Sequence, residues 1–138
     1  MQWQWSMGAL ASVCALAGAV ITFAFGGWTE ALTVLLVAMG VDYITGVAAA
    51  LRTKQGLNSQ IGFWGLARKG LSLLVLLLAH RLDMLLGTGD MAMGGATYFY
   101  LVNELISVAE NYGRLGLPFP ERLRVLIAAL KDRKKDGE

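Results

Sequence analysis

Between Asp42 and Lys69 the chain reads DYITGVAAALRTKQGLNSQIGFWGLARK, an acid inside an apolar run, a short basic loop, and a second apolar run carrying an Arg-Lys pair. The flanks of this stretch are apolar on both sides, so the solvent it meets is a bilayer. Composition agrees. Of 138 residues 56% are hydrophobic and 16% charged, against about 25% charged in soluble domains. Mean hydropathy is +0.54. A span takes about 20 residues, so the expected organisation is a single all-α membrane domain over residues 1–138 with about four transmembrane helices.

The first span covers about 7–27. Its N-terminal flank, MQWQWS, has no Lys or Arg and so lacks the basic start of a secretory signal; the segment is read as a retained span. Trp5 and Trp28 are 23 residues apart, about 34 Å of helix, which suits aromatic anchors at two interfaces. Gly8, Ser12, Ala15, Ala19, Thr22 and Gly26 recur at spacings of four and three and form one small-residue face, read as a helix-packing face. Cys14, the single cysteine, is read as a small packing residue or, in the alternative, a disulfide between copies. One cysteine excludes an intramolecular disulfide and any CxxC site.

The second span covers about 31–51. Asp42 lies ten residues before Arg52, about 15 Å from that end and near the midplane. A carboxylate there costs several kcal/mol unless it faces protein or water. Ala38, Thr45, Gly46 and Ala49 share its face, which leaves two readings: an acid that fixes helix register, or one wall of a narrow aqueous path. A loop with Arg52, Lys54, Gly56 and Asn58 follows. The third span, about 63–86, has an apolar core too short to cross alone. It must take in Arg68 and Lys69, whose heads snorkel to an interface. His80 has no second ligand for a metal and is read as a partner of Asp83.

The fourth span covers about 91–112. Tyr100, Asn103, Glu104, Ser107, Glu110 and Asn111 fall at helical spacing on one face, which must meet protein or water. Glu104 lies ten residues before Arg114, as Asp42 does before Arg52, so the two acids are expected at similar depth with Arg68 or Lys69 as the cation within reach. After GLPFP, where Pro118 ends one helix and Pro120 suits the start of the next, residues 118–138 form a basic amphipathic tail. Leu123, Leu126, Ile127 and Leu130 make its apolar stripe; Arg122, Arg124, Lys131, Arg133, Lys134 and Lys135 are its surface for anionic lipid. The tail has no aromatics for stacking and no reading motif, so no nucleic-acid partner is expected.

Eleven of the twelve basic residues lie in the central loop with the start of the third span or after the fourth span; Arg81 is the exception. If basic segments stay cytoplasmic, both termini are inside with four spans, whereas a three-span form leaves the first segment outside or at the interface. No Ser/His/Asp set, phosphate-cradling glycine loop or metal cluster is present, so no enzyme activity, metal or cofactor is expected.

Several pieces occur in order over roughly residues 35 to 130. They are Asp42-Tyr43-Ile44-Thr45-Gly46; Leu57-Asn58-Ser59 with Gly62, Gly65, Arg68 and Lys69; Leu82-Asp83; Asn103-Glu104-Leu105-Ile106-Ser107 with Glu110-Asn111; and Gly116-Leu117-Pro118-Phe119-Pro120 with Leu123. On these the chain resembles the phage holin family that includes the clostridial toxin-secretion holins. The resemblance implies a protein of the bacterial inner membrane that forms homo-oligomers and opens a lesion releasing endolysin, or in some relatives a toxin, for host lysis. It makes Asp42, Thr45, Gly46, Arg68, Lys69, Asp83, Asn103, Glu104, Ser107, Glu110 and Asn111 candidates for pore lining or assembly. A small ion or proton channel, a membrane scaffold and an antiholin are the competing readings.

Overall fold

A computed structural model of the chain describes residues 2–53 and 58–136. Among these the structure is all-helical: α1 (Gln2–Phe25), α2 (Glu30–Arg52), α3 (Ser59–Leu86), α4 (Met91–Leu115) and α5 (Glu121–Lys135). Helix ends carry local stop and start chemistry. Thr29 caps α2, its hydroxyl accepting from the Leu32 amide at 3.2 Å, and the helix has Glu30 in its first turn and Arg52 in its last, both favourable for the dipole. Asn58 caps α3 through the Gln60 amide at 3.3 Å, so α3 starts four residues before the expected 63. Gly113 stays helical. The stop for α4 is Gly116 in the left-handed region (φ 68), with Leu117 N–H donating to the Tyr112 carbonyl and Gly116 N–H to that of Gly113.

Three helices among the described residues are long and apolar enough to cross a membrane: Ser6–Phe25, Glu30–Arg52 and Ser59–Leu86. With 25 residues α4 matches them in length, but its polar face lowers its hydropathy. It is the hub of the bundle. Both α2 and α3 pack along it, while α2 and α3 meet each other at few points. The bundle therefore has two unlike ends. At the turn end, where α2 and α4 begin, Leu32, Leu35, Met39 and Leu76 form a buried cluster extended by Phe25, Leu36, Leu73, Ala96, Tyr100 and Leu101. At the loop end, where α3 begins and α4 stops, a cavity lies between α2 and α3, with Tyr43 of α2 reaching Gly62 of α3.

The first helix is an outrigger. Its described side chains from Ser6 to Val20 are all exposed, Cys14 among them. Of the small-residue face read as a packing face, Gly8, Ser12, Ala15 and Ala19 are exposed among the described residues, and Gly26 at its far end meets α3. That contact is specific. Gly26 (φ 75) lies so close to His80 that a Cβ would stand 2.7 Å from the ring Cε1. The Arg81 guanidinium lies 3.6 Å from the centre of the Phe23 ring and donates to the Phe23 carbonyl, capping the C-terminal end of α1. At the other terminus α5 folds back on α4 through buried Ile127, and Phe119 meets Tyr112 edge to face at 5.3 Å.

Candidate polar core and adjoining cavity

The acid at position 42 folds into α2 because its neighbours on that face are small. Ala38 and Ala49 are buried against α4, and a Cβ at Gly46 would sit 3.4 Å from the Asn111 amide. This close approach puts the Asn111 amide nitrogen 3.0 Å from Asp42 Oδ1, 3.2 Å from the Asp42 carbonyl and 3.1 Å from Thr45 Oγ1. One amide of α4 thus holds three oxygens of α2, at a residue only 6% exposed.

The second oxygen of Asp42 turns to α3. Lys69 Nζ donates to Asp42 Oδ2 at 2.7 Å and to Glu104 Oε2 at 2.5 Å. All three side chains are 12–15% exposed. The structure therefore brings Asp42, Lys69 and Glu104, from three different helices, into one ion triad. Two carboxylates share one ammonium, which leaves the cluster one negative charge in excess when all are ionised. In a low-dielectric bundle a charge is tolerable only when paired and hydrogen-bonded, and removal of one partner costs far more than a surface pair gains.

Beside the triad lies a cavity of about 530 Å³. Tyr43 and Val47 of α2 make one wall, α3 the other, and Asn103, Ser107 and Arg114 of α4 the floor. In the α3 wall Gly65 has open space where a Cβ would stand, while Gly62 lies 3.6 Å, measured from its Cβ position, from the Tyr43 hydroxyl. The cavity runs from the triad to Asn58 and Ala50 at the loop end. Beyond the triad the path ends against the apolar cluster of Leu32, Leu35, Met39 and Leu76.

Other candidates are placed elsewhere. Arg68 lines the cavity but is exposed, and Glu110 is exposed away from the triad. Asp83 lies at the turn end, 2% exposed, and His80 acts on it through charge and not through a hydrogen bond. Its carboxylate instead accepts from Thr88 Oγ1 at 2.6 Å, Ala92 N–H at 2.9 Å and Met93 N–H at 2.8 Å. It caps α4 from across the turn, and Asp90, the local N-cap residue, makes no side-chain cap bond. His80 Nδ1 is buried without a partner among the described residues. This remote cap was invisible to local spacing, which looks for the capping side chain next to the helix it serves. Arg122, Arg124, Lys131, Arg133 and Lys135 are exposed on α5, with Leu123, Val125 and Leu126 also exposed. Lys54, Gly56 and Leu57 of the central loop, and the side chains of Trp3, Trp5 and Lys134, lie outside the described residues.

Comparison with known proteins gives this arrangement a family. The chain matches the bacteriophage holin family over residues 19–132. An uncharacterized 14.9 kDa protein of Clostridium perfringens is 43% identical over 118 residues, 85% of this chain and 89% of that protein. An uncharacterized Halalkalibacterium halodurans protein is 39% identical over 122 residues, covering 85% and 90%. A probable holin of Bacillus phage phi105 is 33% identical over 104 residues, 72% of this chain and 76% of the phage protein. No solved structure matches the chain. With three helices apolar enough to span a bilayer and a family match over most of its length, the chain is a membrane protein that belongs to the bacteriophage holin family.

Proposed function

We propose that this chain is a holin, which accumulates in the inner membrane of a bacterial host, self-associates, and opens a lesion through which endolysin escapes. In this reading α4 is a fourth span, hidden from hydropathy by the polar face it turns on α2 and α3. The loop end is cytoplasmic, since it gathers Arg52, Arg68, Lys69 and Arg114 while α5 adds the basic tail. Both termini are then cytoplasmic, and α5 lies on anionic headgroups with Leu123 and Leu126 toward the acyl region.

The ion triad is the observation that carries the proposal. An ammonium shared by two acids holds three helices together, yet each acid is left with fewer partners than it can use. When copies crowd, the polar face of α4 and Asp42 exchange Lys69 for water and for neighbouring copies. A wet lumen removes the desolvation cost of the carboxylates. A single chain is sealed beyond the triad by the apolar cluster, which disfavours a ready-made ion channel in one copy and favours a pore that needs several. The exposed small-residue face of α1 supplies further surface for close helix contact.

The test is size-graded release from liposomes containing the purified protein, with a small dye and a folded protein of endolysin size inside. Release of both is the expected result. Release of dye alone assigns a narrow channel, and release of neither from verified inserted protein assigns a scaffold or antiholin.

A further inference from the structure

We infer that the mouth of the cavity, in the slot between α2 and α3, binds the phosphate of an anionic phospholipid from the leaflet at the loop end, with Arg68 as its principal contact. The inference rests on the membrane reading above and adds a specific lipid site to it, separate from the basic tail.

The slot is a consequence of the packing. Each of α2 and α3 is held by α4, and they meet each other at few points, among them Asp42 with Lys69 and Tyr43 beside Gly62, so the cavity lies between them over α4. Gly65 leaves open space on the α3 side of the cavity. Arg68 projects into this space. Among the described residues its guanidinium has no ion pair or hydrogen bond, in contrast with Lys69 next to it, which satisfies both acids. Nine residues of helix place Arg68 about 14 Å from the α3 start, within reach of the interface for a side chain that snorkels. An arginine at that depth needs an anion, and its planar fork matches phosphate bidentately.

Charge decides where the anion sits. The triad carries an excess negative charge at the deep end and repels a phosphate there. Arg114 lines the cavity, and Arg52 lies beside the end of α4, its guanidinium 3.6 Å from where a Gly116 Cβ would be. A phosphate therefore settles at the mouth and not beside Lys69. A lipid fits better than free phosphate because Ile61, which lines the cavity, is 66% exposed and offers a surface for the first acyl carbons.

The test uses the full-length protein, purified and examined by native mass spectrometry at high salt, where the diffuse attraction of the tail is screened. Phosphatidylglycerol should be retained in preference to phosphatidylcholine. Arg68→Gln should weaken that retention about tenfold, and Arg68→Lys should restore part of it, since an ammonium keeps the charge but loses the fork. Joint replacement of Arg122, Arg124 and Arg133 by Gln should leave it unchanged. Equal retention of the two lipids, an unaffected Arg68→Gln protein, or loss only in the tail variant overturns the site. Displacement of lipid by inorganic phosphate at comparable concentration overturns the lipid assignment in favour of a free-anion site. Flotation of the same protein with liposomes separates the two levels. Inserted protein without the preference defeats the lipid site alone, and protein that fails to insert defeats the membrane reading with it.

Discussion

The two ends of the bundle handle acids in opposite ways. At the turn end Asp83 is 2% exposed and accepts from one hydroxyl and two backbone amides, which belong to the turn and helix it caps. Every hydrogen-bond partner is fixed by the fold. At the loop end Asp42 and Glu104 share Lys69 beside an open cavity, and one long flexible side chain is all that joins α3 to both acids. The first arrangement locks a corner. The second rests on one long side chain that borders an open cavity.

The largest expected effect comes from removing the shared cation. Lys69→Met leaves two carboxylates in the bundle with no ammonium, and breaking a buried charge cluster in this way costs about 3–5 kcal/mol. Expression in host cells should give poorly inserted, protease-sensitive protein or lysis at an altered time. Normal insertion together with normal lysis timing would break the contrast between the two ends, since the triad would then hold nothing. Next comes the locked corner. Asp83→Asn keeps the shape but loses the charge that serves two amides at once, so the α3–α4 corner should loosen. A lower melting temperature in detergent with an unchanged size of released cargo is the expected outcome. A change in cargo size with no change in melting would show that Asp83 takes part in the lesion and is not merely a cap.

Much of this contrast was legible in the sequence, and its limits have physical causes. The four long helices and the tail followed from length, apolar runs and glycine stops. Equal spacing of Asp42 and Glu104 from Arg52 and Arg114 pointed to a common depth, and the Arg-Lys pair was the obvious cation. Which of the pair turns inward depends on the rotation of α3, and the buried Leu76, His80 and Asp83, at helical spacing from Lys69, set that rotation. Asp83 was read with His80 because they are three apart on one helix; the true acceptor geometry needs the chain to turn at Gly87 and return. Glu110 fits the polar period of α4 and is nonetheless exposed, since only a part of that face meets α2 and α3. The small face of α1 was legible as a pattern, but a pattern of small residues does not say whether the partner is the same chain.

A smaller effect is expected when one acid at a time is neutralised. Asp42→Asn and Glu104→Gln each leave Lys69 with one full partner, so the junction weakens by about 1–3 kcal/mol, the range for a hydrogen bond to a charged group. Both should bring lysis forward and shift the oligomer distribution after crosslinking. Unaltered timing and oligomer size for both variants would remove these acids from any account of assembly and leave the triad a structural feature like Asp83.

The smallest expected effect concerns the attachment of α1, which sharpens the comparison at the turn end. Gly26→Ala places a methyl 2.7 Å from His80 Cε1 and holds an L-residue at φ 75, which costs about 1–2 kcal/mol from backbone strain before any clash is counted. Melting in detergent measures the sum. Repeating Gly26→Ala in a His80→Ala background separates the parts, because His80→Ala removes the ring and leaves the backbone strain. If the double variant recovers part of the loss, α1 is held by packing of the His80 ring against Gly26. If it recovers none, the Arg81 cap on the Phe23 carbonyl carries the attachment. In either case, a normal liposome release pattern for Gly26→Ala would mean that α1 can loosen from α3 without harming the lesion, and would place the functional contacts of its small face outside the single chain.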